Sequence, residues 1–385
     1  MKKKLLANIL CIVMIAVMAV GCGFSDEPAV PNEEATVSDV VADETDDLID
    51  ETESEYHFEI IIKSYQSSYW QAAVAGVEQA AEELGVTVNC TGPGSESDIA
   101  DQINMLNKAI NVEGVDGIGL AACDQSACMD SLQTAMDQGI PVVCFDSGIS
   151  NAPEGSVFST VATDNYLAGA LAAENLYAGL SDVLVKGYAP VRVGEINQDD
   201  TSESIISRGL GFIDRFAELA EADGKSVAVI GNDRYVEQVK AETVEEEAAD
   251  IIIEVAVPTQ TSVNQCADVA SDIMERGDII GIFASNQVAS EGVLTANEHL
   301  HVLGTDPETS VLAAGFDSGI AVKDAIRNGE MYGAVTQTPF EIGAATVRTL
   351  YAIANGKTVS DIPTKGYWYN ADNMNDDSIA PNLYD

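Results

Sequence analysis

Two stretches decide the fold: "PVVCFDSGI" at Pro141–Ile149 and "LAAGFDSGI" at Leu312–Ile320. Each is an apolar run long enough for one buried strand, and each ends in Phe-Asp-Ser-Gly-Ile. The copies lie 171 residues apart (316 − 145). Working outward from both, apolar runs alternate with helical patterns. "FEIIIKS" (Phe58–Ser64) reads as a strand, Tyr69–Leu84 as a helix stopped by Gly85, and "VTVNC" as the next strand. An amphipathic stripe of Ile99, Ile103, Leu106 and Ile110 follows, then the strand "DGIGLA" and a helix around Ser126–Gln138. After "GSVFSTVATDN" a second run begins. It predicts the strands "VRVGEIN", "KSVAVIGN", "DIIIEVAVP" and "DIIGIFASN" and helices near Ser202–Ala220, Val236–Ala248, Val263–Glu275 and Val288–Glu298. "GAVTQTP", a helix near Glu341–Asn355 and "GYWYN" close the chain. Short strands buried on both faces and separated by helices predict an α/β fold with parallel sheets.

The first 21 residues read as a targeting segment. Lys2, Lys3 and Lys4 precede an apolar stretch, Leu5–Val20, that is short for a bilayer span and ends in "AVGC". That ending is similar to the lipobox of bacterial lipoproteins, which implies a lipid on Cys22. An ordinary secretory cleavage near Gly21 is the plainer alternative. Residues 22–55 read as an acidic tether: Asp26–Glu55 carries 13 acidic residues and no Lys or Arg, a composition that repels itself and buries too little to fold. The remaining 330 residues (56–385) are enough for two lobes. A formal net charge of −45 leaves no basic face for phosphate contacts and argues against nucleic-acid partners. Cys90, Cys123, Cys128, Cys144 and Cys266 lack the spacing of a disulfide framework and read as buried thiols.

Ligands of open parallel sheets bind beyond the carboxyl ends of the strands. The residues there are Tyr69 and Trp70 after the first strand, Asp124 after the third, and Asp146 and Ser147 after the fourth. The second run adds Asp200, Asn286, Asp317 and Gln337. Carboxylates and amides suit adjacent hydroxyls, and aromatic rings suit the C–H face of a sugar. Each residue also has a plain reading, as a helix cap or as core. The functional reading rests on convergence: if two lobes face one another, Asp146 and Asp317 grip one ligand from opposite sides.

These residues, with "SSYW", "VATDNYLAG", "SRGLGF", "IFASNQVASEGVL" and "AIRNGEMYGAVTQTPFEIG", resemble the type I periplasmic solute-binding proteins of ABC transporters, of the ribose- and galactose-binding kind. The resemblance spans about residues 57–369. It implies two Rossmann-like lobes, residues 56–162 with 337–362 and residues 163–336 with 363–385, joined by crossings near Thr163, Thr336 and Pro363. It implies a ligand-binding set of Tyr69, Trp70, Asp146, Asn286, Asp317 and Gln337, a sugar captured by hinge closure, and a membrane permease as partner of a monomeric, lipid-anchored receptor. Ile206 and Ala122 depart from the family pattern. With Ile206 in place of an arginine, the two aspartates lack an evident cation unless Arg192, Arg208 or Arg234 supplies one, which opens the alternative of an amino sugar or small amine as ligand. A sensor feeding a membrane signalling receptor would look the same in sequence.

No catalytic constellation, cofactor motif or metal-ligand spacing stands out. "GIGLAA" (Gly117–Ala122) matches a dinucleotide fingerprint by letters but falls inside a strand. "EHLH" at Glu298–His301 reads as a helix end, and "DNMNDD" lacks the glycine and final glutamate of a calcium loop. A regulator of this fold would need a DNA-binding head, where this chain has a leader and an acidic stretch.

Overall fold

The structure, a computed structural model, describes residues 56–187 and 190–385. The leader, Cys22 and the acidic stretch to Glu55 lie outside the described residues. The first lobe opens with β1 (His57–Ile61), α1 (Ser68–Leu84), β2 (Thr87–Thr91), α2 (Ile99–Ile110), β3 (Gly117–Leu120), α3 (Met129–Asp137), β4 (Val142–Phe145) and β5 (Val157–Thr163). The second runs through α4 (Asn165–Lys186), β6 (Val191–Ile196), α5 (Glu203–Ala222), β7 (Val227–Gly231), α6 (Asp233–Val236), β8 (Ile251–Ala256) and α7 (Val263–Met274). It continues with β9 (Ile279–Ala284), α8 (Gln287–Leu300), β10 (Leu303–Gly304), β11 (Val311–Phe316), α9 (Ile320–Asn328) and β12 (Gly333–Thr336). Last come α10 (Pro339–Ala354), β13 (Ile362–Thr364) and β14 (Tyr367–Tyr369).

The strands form two sheets, ordered β13-β5-β4-β3-β1-β2 and β14-β12-β11-β9-β6-β8-β7, with β10 beside β11. All pairs are parallel except β12 with β14. The chain passes between the sheets three times: from β5 into α4, from β12 into α10, and from β13 to β14. Central strands such as β4, β6 and β11 are buried along their whole length, which explains their unbroken apolar runs.

The repeated pentapeptide is one turn built twice. Phe145 pairs in register with Val161 of β5, and Phe316 with Val335 of β12. The next N–H then donates to that same neighbour, Asp146 to the Val161 carbonyl at 2.9 Å and Asp317 to Val335 at 2.7 Å. Both aspartates adopt left-handed backbone, with φ of 60° and 69°. Aspartate enters this region more readily than most side chains.

Each lobe has a helix pair in close contact at glycine. In the first, a Cβ on Gly76 of α1 would lie 1.9 Å from the Phe340 carbonyl oxygen, and one on Gly343 of α10 would lie 2.0 Å from that of Ala73. In the second, Gly169 of α4 faces the Arg208 carbonyl at 1.9 Å and Gly211 of α5 faces that of Tyr166 at 2.0 Å. In "GIGLAA" the glycines serve packing. A Cβ at Gly117 would meet Leu350 at 2.8 Å, and one at Gly119 would meet Ile60 at 2.8 Å and Thr346 at 3.1 Å.

One expected helix is absent. Val236–Ala248 is not helical beyond Val236, apart from a single tight turn at Glu246–Ala248. Asp214 of α5, 2% exposed, accepts the N–H groups of Lys240 and Ala241 at 2.8 and 3.0 Å, and the N–H of Val244 bonds to the Val227 carbonyl of β7 at 2.9 Å. Buried side-chain and strand-edge acceptors take the donors that a helix would have used. "EHLH" ends α8 with His301 in the left-handed C-terminal position, φ 53°, and all five described cysteines are free.

Candidate functional site

The carboxyl ends of both sheets face one another across a polar cavity. Its wall includes Lys63, Tyr69, Trp70, Glu96 and Asp146 from the first lobe and Gln198, Ser204, Arg208, Asn286, Asp317 and Gln337 from beyond it. The cavity volume is about 30 Å³, room for roughly two waters.

The first lobe's half is an ion-pair network. Lys63 follows β1 directly, is 2% exposed, and pairs with Asp146 Oδ2 at 2.9 Å. It also donates across the cleft to the hydroxyls of Ser202 (2.7 Å) and Ser204 (3.1 Å) at the start of α5. Burial pulls the Lys63 pKa down, but the charges of Asp146, Glu96 and Asp199 outweigh it and hold the ammonium protonated. Glu96, on the loop after β2, accepts from Trp70 Nε1 at 2.9 Å and from Gln198 Nε2 of the opposite lobe at 2.8 Å. Burial raises its pKa, against Lys63 and these donors. Tyr69 and Trp70 meet edge to face at 5.0 Å, and Trp70 meets Phe145 at 6.3 Å. Both rings belong to the first lobe's core and also line the cavity wall.

In the second lobe, Asp317 accepts from Gln337 Nε2 at 2.6 Å and from the Gln287 N–H at 3.0 Å. Burial raises its carboxyl pKa, opposed first by the Arg208 charge. Arg208, 2% exposed, donates to Asn165 Oδ1 at 2.7 Å and to the Ser285 carbonyl at 2.5 Å, with its guanidinium 3.6 Å from the centre of the Phe316 ring. Asn286 caps α8 through the Ala289 N–H at 2.9 Å and donates to Gln198. Gln337 Oε1 is buried without a hydrogen-bond partner, an acceptor aimed at a site rich in donors.

Six of the residues singled out in the sequence come together here: Tyr69, Trp70, Asp146, Asn286, Asp317 and Gln337. Three do not line the cavity. Asp124 accepts the N–H groups of Ser126 and Ala127 at 2.7 and 3.1 Å, a turn leading into α3. Ser147, fully buried, accepts the Ser204 N–H at 3.1 Å and so braces α5 from the opposite lobe. Asp200 accepts from Asn232 at 3.0 Å. The expectation that both aspartates lack an evident protein cation is corrected: Lys63 pairs with Asp146, and the Arg208 charge opposes the burial that raises the Asp317 pKa. Lys63, Glu96 and Gln198 were missed. A lysine ending the apolar run "FEIIIKS" was the available signal for the first. Arg208, in "SRGLGF", was one of three arginines the sequence offered as a source of the cation, and it is the one that lines the cavity. Among the described residues, no group of three or more His, Cys, Asp or Glu could hold a metal ion.

The chain is similar to known proteins along most of its length. The ribose import binding protein of Bacillus subtilis (strain 168) is 24% identical over 305 residues, covering 79% of this chain and 84% of that one. The D-allose-binding periplasmic protein of Escherichia coli (strain K12) is 23% identical over 308 residues, covering 78% and 86%. Among solved structures, a Brachyspira murdochii protein described as an ABC transporter, LacI family transcriptional regulator superposes with a TM-score of 0.71 at 29% identity, covering 86% of this chain and 99% of that one. An ABC transporter solute-binding protein of Agrobacterium vitis with bound D-fucose superposes with a TM-score of 0.69 at 24% identity, covering 85% and 100%. The family model for the periplasmic binding protein domain matches residues 58–358. That span takes in the strands of both sheets up to β12 and the paired aspartate turns, and it makes this chain a member of the periplasmic binding protein family, with the type I fold.

Proposed function

We propose that this chain is the extracytoplasmic substrate-binding component of an ABC transporter, which captures a small sugar between its lobes and delivers it to a membrane permease without transforming it. One observation carries the reading: two aspartates in identical strand-end turns reach one cavity from opposite sheets, beside an aromatic pair and two amides. Carboxylate, amide and aromatic ring together match the hydroxyls and apolar face of a pyranose or furanose. The sugars bound by the relatives support that class. The two lobes open about the three crossings to admit it. Closure adds the second lobe's contacts and is favoured by them. Because Asp146 and Asp317 already have protein cations nearby, a neutral sugar suits the site better than an amine.

The test is thermal unfolding of residues 56–385 with D-ribose, D-allose, D-fucose, D-arabinose, D-galactose, amino sugars and small amines. At 100 times its dissociation constant, a ligand adds about 2.7 kcal/mol of stability. A shift with one neutral sugar is the expected result; no shift with any sugar and a response to an amine would refute the assignment. Anchoring through Cys22 belongs to the same reading. Cys22→Ala moves the protein from the membrane fraction to the soluble fraction, and retention in the membrane would refute the anchor.

A further inference from the structure

The segment Asn382–Asp385 lies against the second aspartate turn. The Tyr384 carbonyl accepts from the Gly319 N–H at 3.1 Å, Ser318 Oγ at 2.9 Å and Lys323 Nζ at 2.9 Å. Its hydroxyl accepts from the Ser318 N–H at 3.3 Å. On either side, the Asn382 carbonyl accepts from Thr336 Oγ1 at 2.8 Å, and Asp385 pairs with Lys323, which is 5% exposed. All of these partners belong to the second lobe. The Tyr384 ring does not: it packs on the first lobe's core and meets Tyr69 edge to face, centroids 6.0 Å apart at 76°. One side chain thus spans the mouth between the lobes, next to Asp317 and Tyr69 of the cavity.

We propose that Asn382–Asp385 is a clasp carried by the second lobe, whose Tyr384 ring seats on Tyr69 only when the lobes are together and so sets how long a bound sugar is held. The inference rests on the reading of the cleft as a sugar site, and it adds a positioning residue outside the strand-end set. An edge-to-face aromatic pair contributes about 0.5–1.5 kcal/mol beyond burial, so losing it lowers the closed population by roughly 2–10-fold.

Closure is measured without sugar by disulfide trapping in the full chain. Ser97 and Thr261 face one another across the cleft, with the Thr261 N–H 2.7 Å from Ser97 Oγ, away from Tyr384. In a Ser97→Cys/Thr261→Cys background under oxidised glutathione, Tyr384→Ala slows trapping roughly 2–10-fold, while Tyr384→Phe, which keeps the ring and loses only the hydroxyl's contact with Ser318, traps faster than the Ala variant. Asp385→Asn, at a largely exposed side chain, weakens the ion pair with Lys323, loosens the same anchor and slows trapping in its own right. Equal trapping rates in Ala and parent chains would overturn the clasp; were the Ala variant unfolded, an unchanged rate in Asp385→Asn would do so. Where D-ribose, D-allose or D-fucose binds, its dissociation accelerates in Tyr384→Ala by the same factor, and an unchanged dissociation rate overturns the coupling. If none of the three binds, the sugar reading falls, and trapping alone decides the clasp.

Discussion

Replacing Lys63 by methionine tests the polar centre of the cleft. The ion pair with Asp146 is buried on both sides, with side-chain exposures of 2% and 7%. Methionine keeps the length of the side chain and removes its charge, so the loss is electrostatic rather than a cavity. Breaking a buried pair from one side costs about 3–5 kcal/mol because the other charge is left uncompensated. Here Asp146 would be left among Glu96, Asp199 and Glu203, partly buried carboxyls whose pKa values are already raised. The hydroxyls of Ser202 and Ser204 can turn to Asp146, which places the loss near the lower end, about 3 kcal/mol. At about 2–4 °C per kcal/mol for domains of this size, melting falls by roughly 6–12 °C. Urea unfolding followed by both circular dichroism and Trp fluorescence checks the figure and the two-state assumption together. Adding Asp146→Asn removes the stranded charge, so the double variant recovers about 1–3 kcal/mol relative to Lys63→Met. Single losses that simply add, within about 0.5 kcal/mol, would refute the pairing.

Three further outcomes follow from the structure. Burial raises the carboxyl pKa values of Glu96, Asp199, Glu203, Asp317 and most strongly Glu195. The folded chain therefore takes up protons before the unfolded chain does, and stability rises as pH falls from 7 toward about 5; a melting temperature that drops over that interval would contradict these burials. Glu83, Asp250 and Asp385, whose pKa values are lowered, act oppositely and only at lower pH. Gly169→Ala forces a methyl to within 1.9 Å of the Arg208 carbonyl oxygen and costs about 1–3 kcal/mol by overpacking, whereas Gly277→Ala, with nothing within 4 Å, stays within about 0.5 kcal/mol in the same urea titration. Burial pushes the thiol of Cys128 up to about 11 and those of Cys90 and Cys266 to about 12. Ellman's reagent at pH 8 should find these thiols unreactive in the folded chain and reactive in urea; rapid labelling before unfolding would refute the burial.

Buried strands were legible because parallel sheets covered on both faces demand unbroken apolar runs, as in "PVVCF" and "VLAAGF". The paired aspartates were legible because position at a strand's carboxyl end carries meaning in an open α/β sheet. What failed was set by partners distant in sequence. Val236–Ala248 carries helical spacing, yet buried Asp214 and the edge of β7 claim its N–H groups. Lys63 looked like the polar end of a strand, and its role appears only when Ser202 and Ser204, some 140 residues on, are brought against it (202 − 63 = 139). Asp124, Ser147 and Asp200 have the right residue type at the right strand ends, but their oxygens are taken by local or bracing hydrogen bonds. Type and place are written locally, whereas occupancy of a lone pair is decided by the fold.

The glycine contacts between helices bear on how force moves through the molecule. α4 begins two residues after β5 ends, and Gly169 on its first turns is pressed against the carbonyl of Arg208, the residue whose guanidinium reaches the cavity. On the other side, α10 begins three residues after β12 ends, and its Gly343 bears on Ala73 of α1, one turn from Tyr69 and Trp70. Two of the three crossings therefore feed straight into backbone-to-backbone bearings that leave no side chain to act as a spring. A displacement of a helix that lines the cavity arrives at the crossing undiminished, because packed backbone deforms little. The linkage has almost no slack: under the proposed closure, the work of contact inside the cleft goes into turning the lobes instead of being absorbed by the helix packing within them.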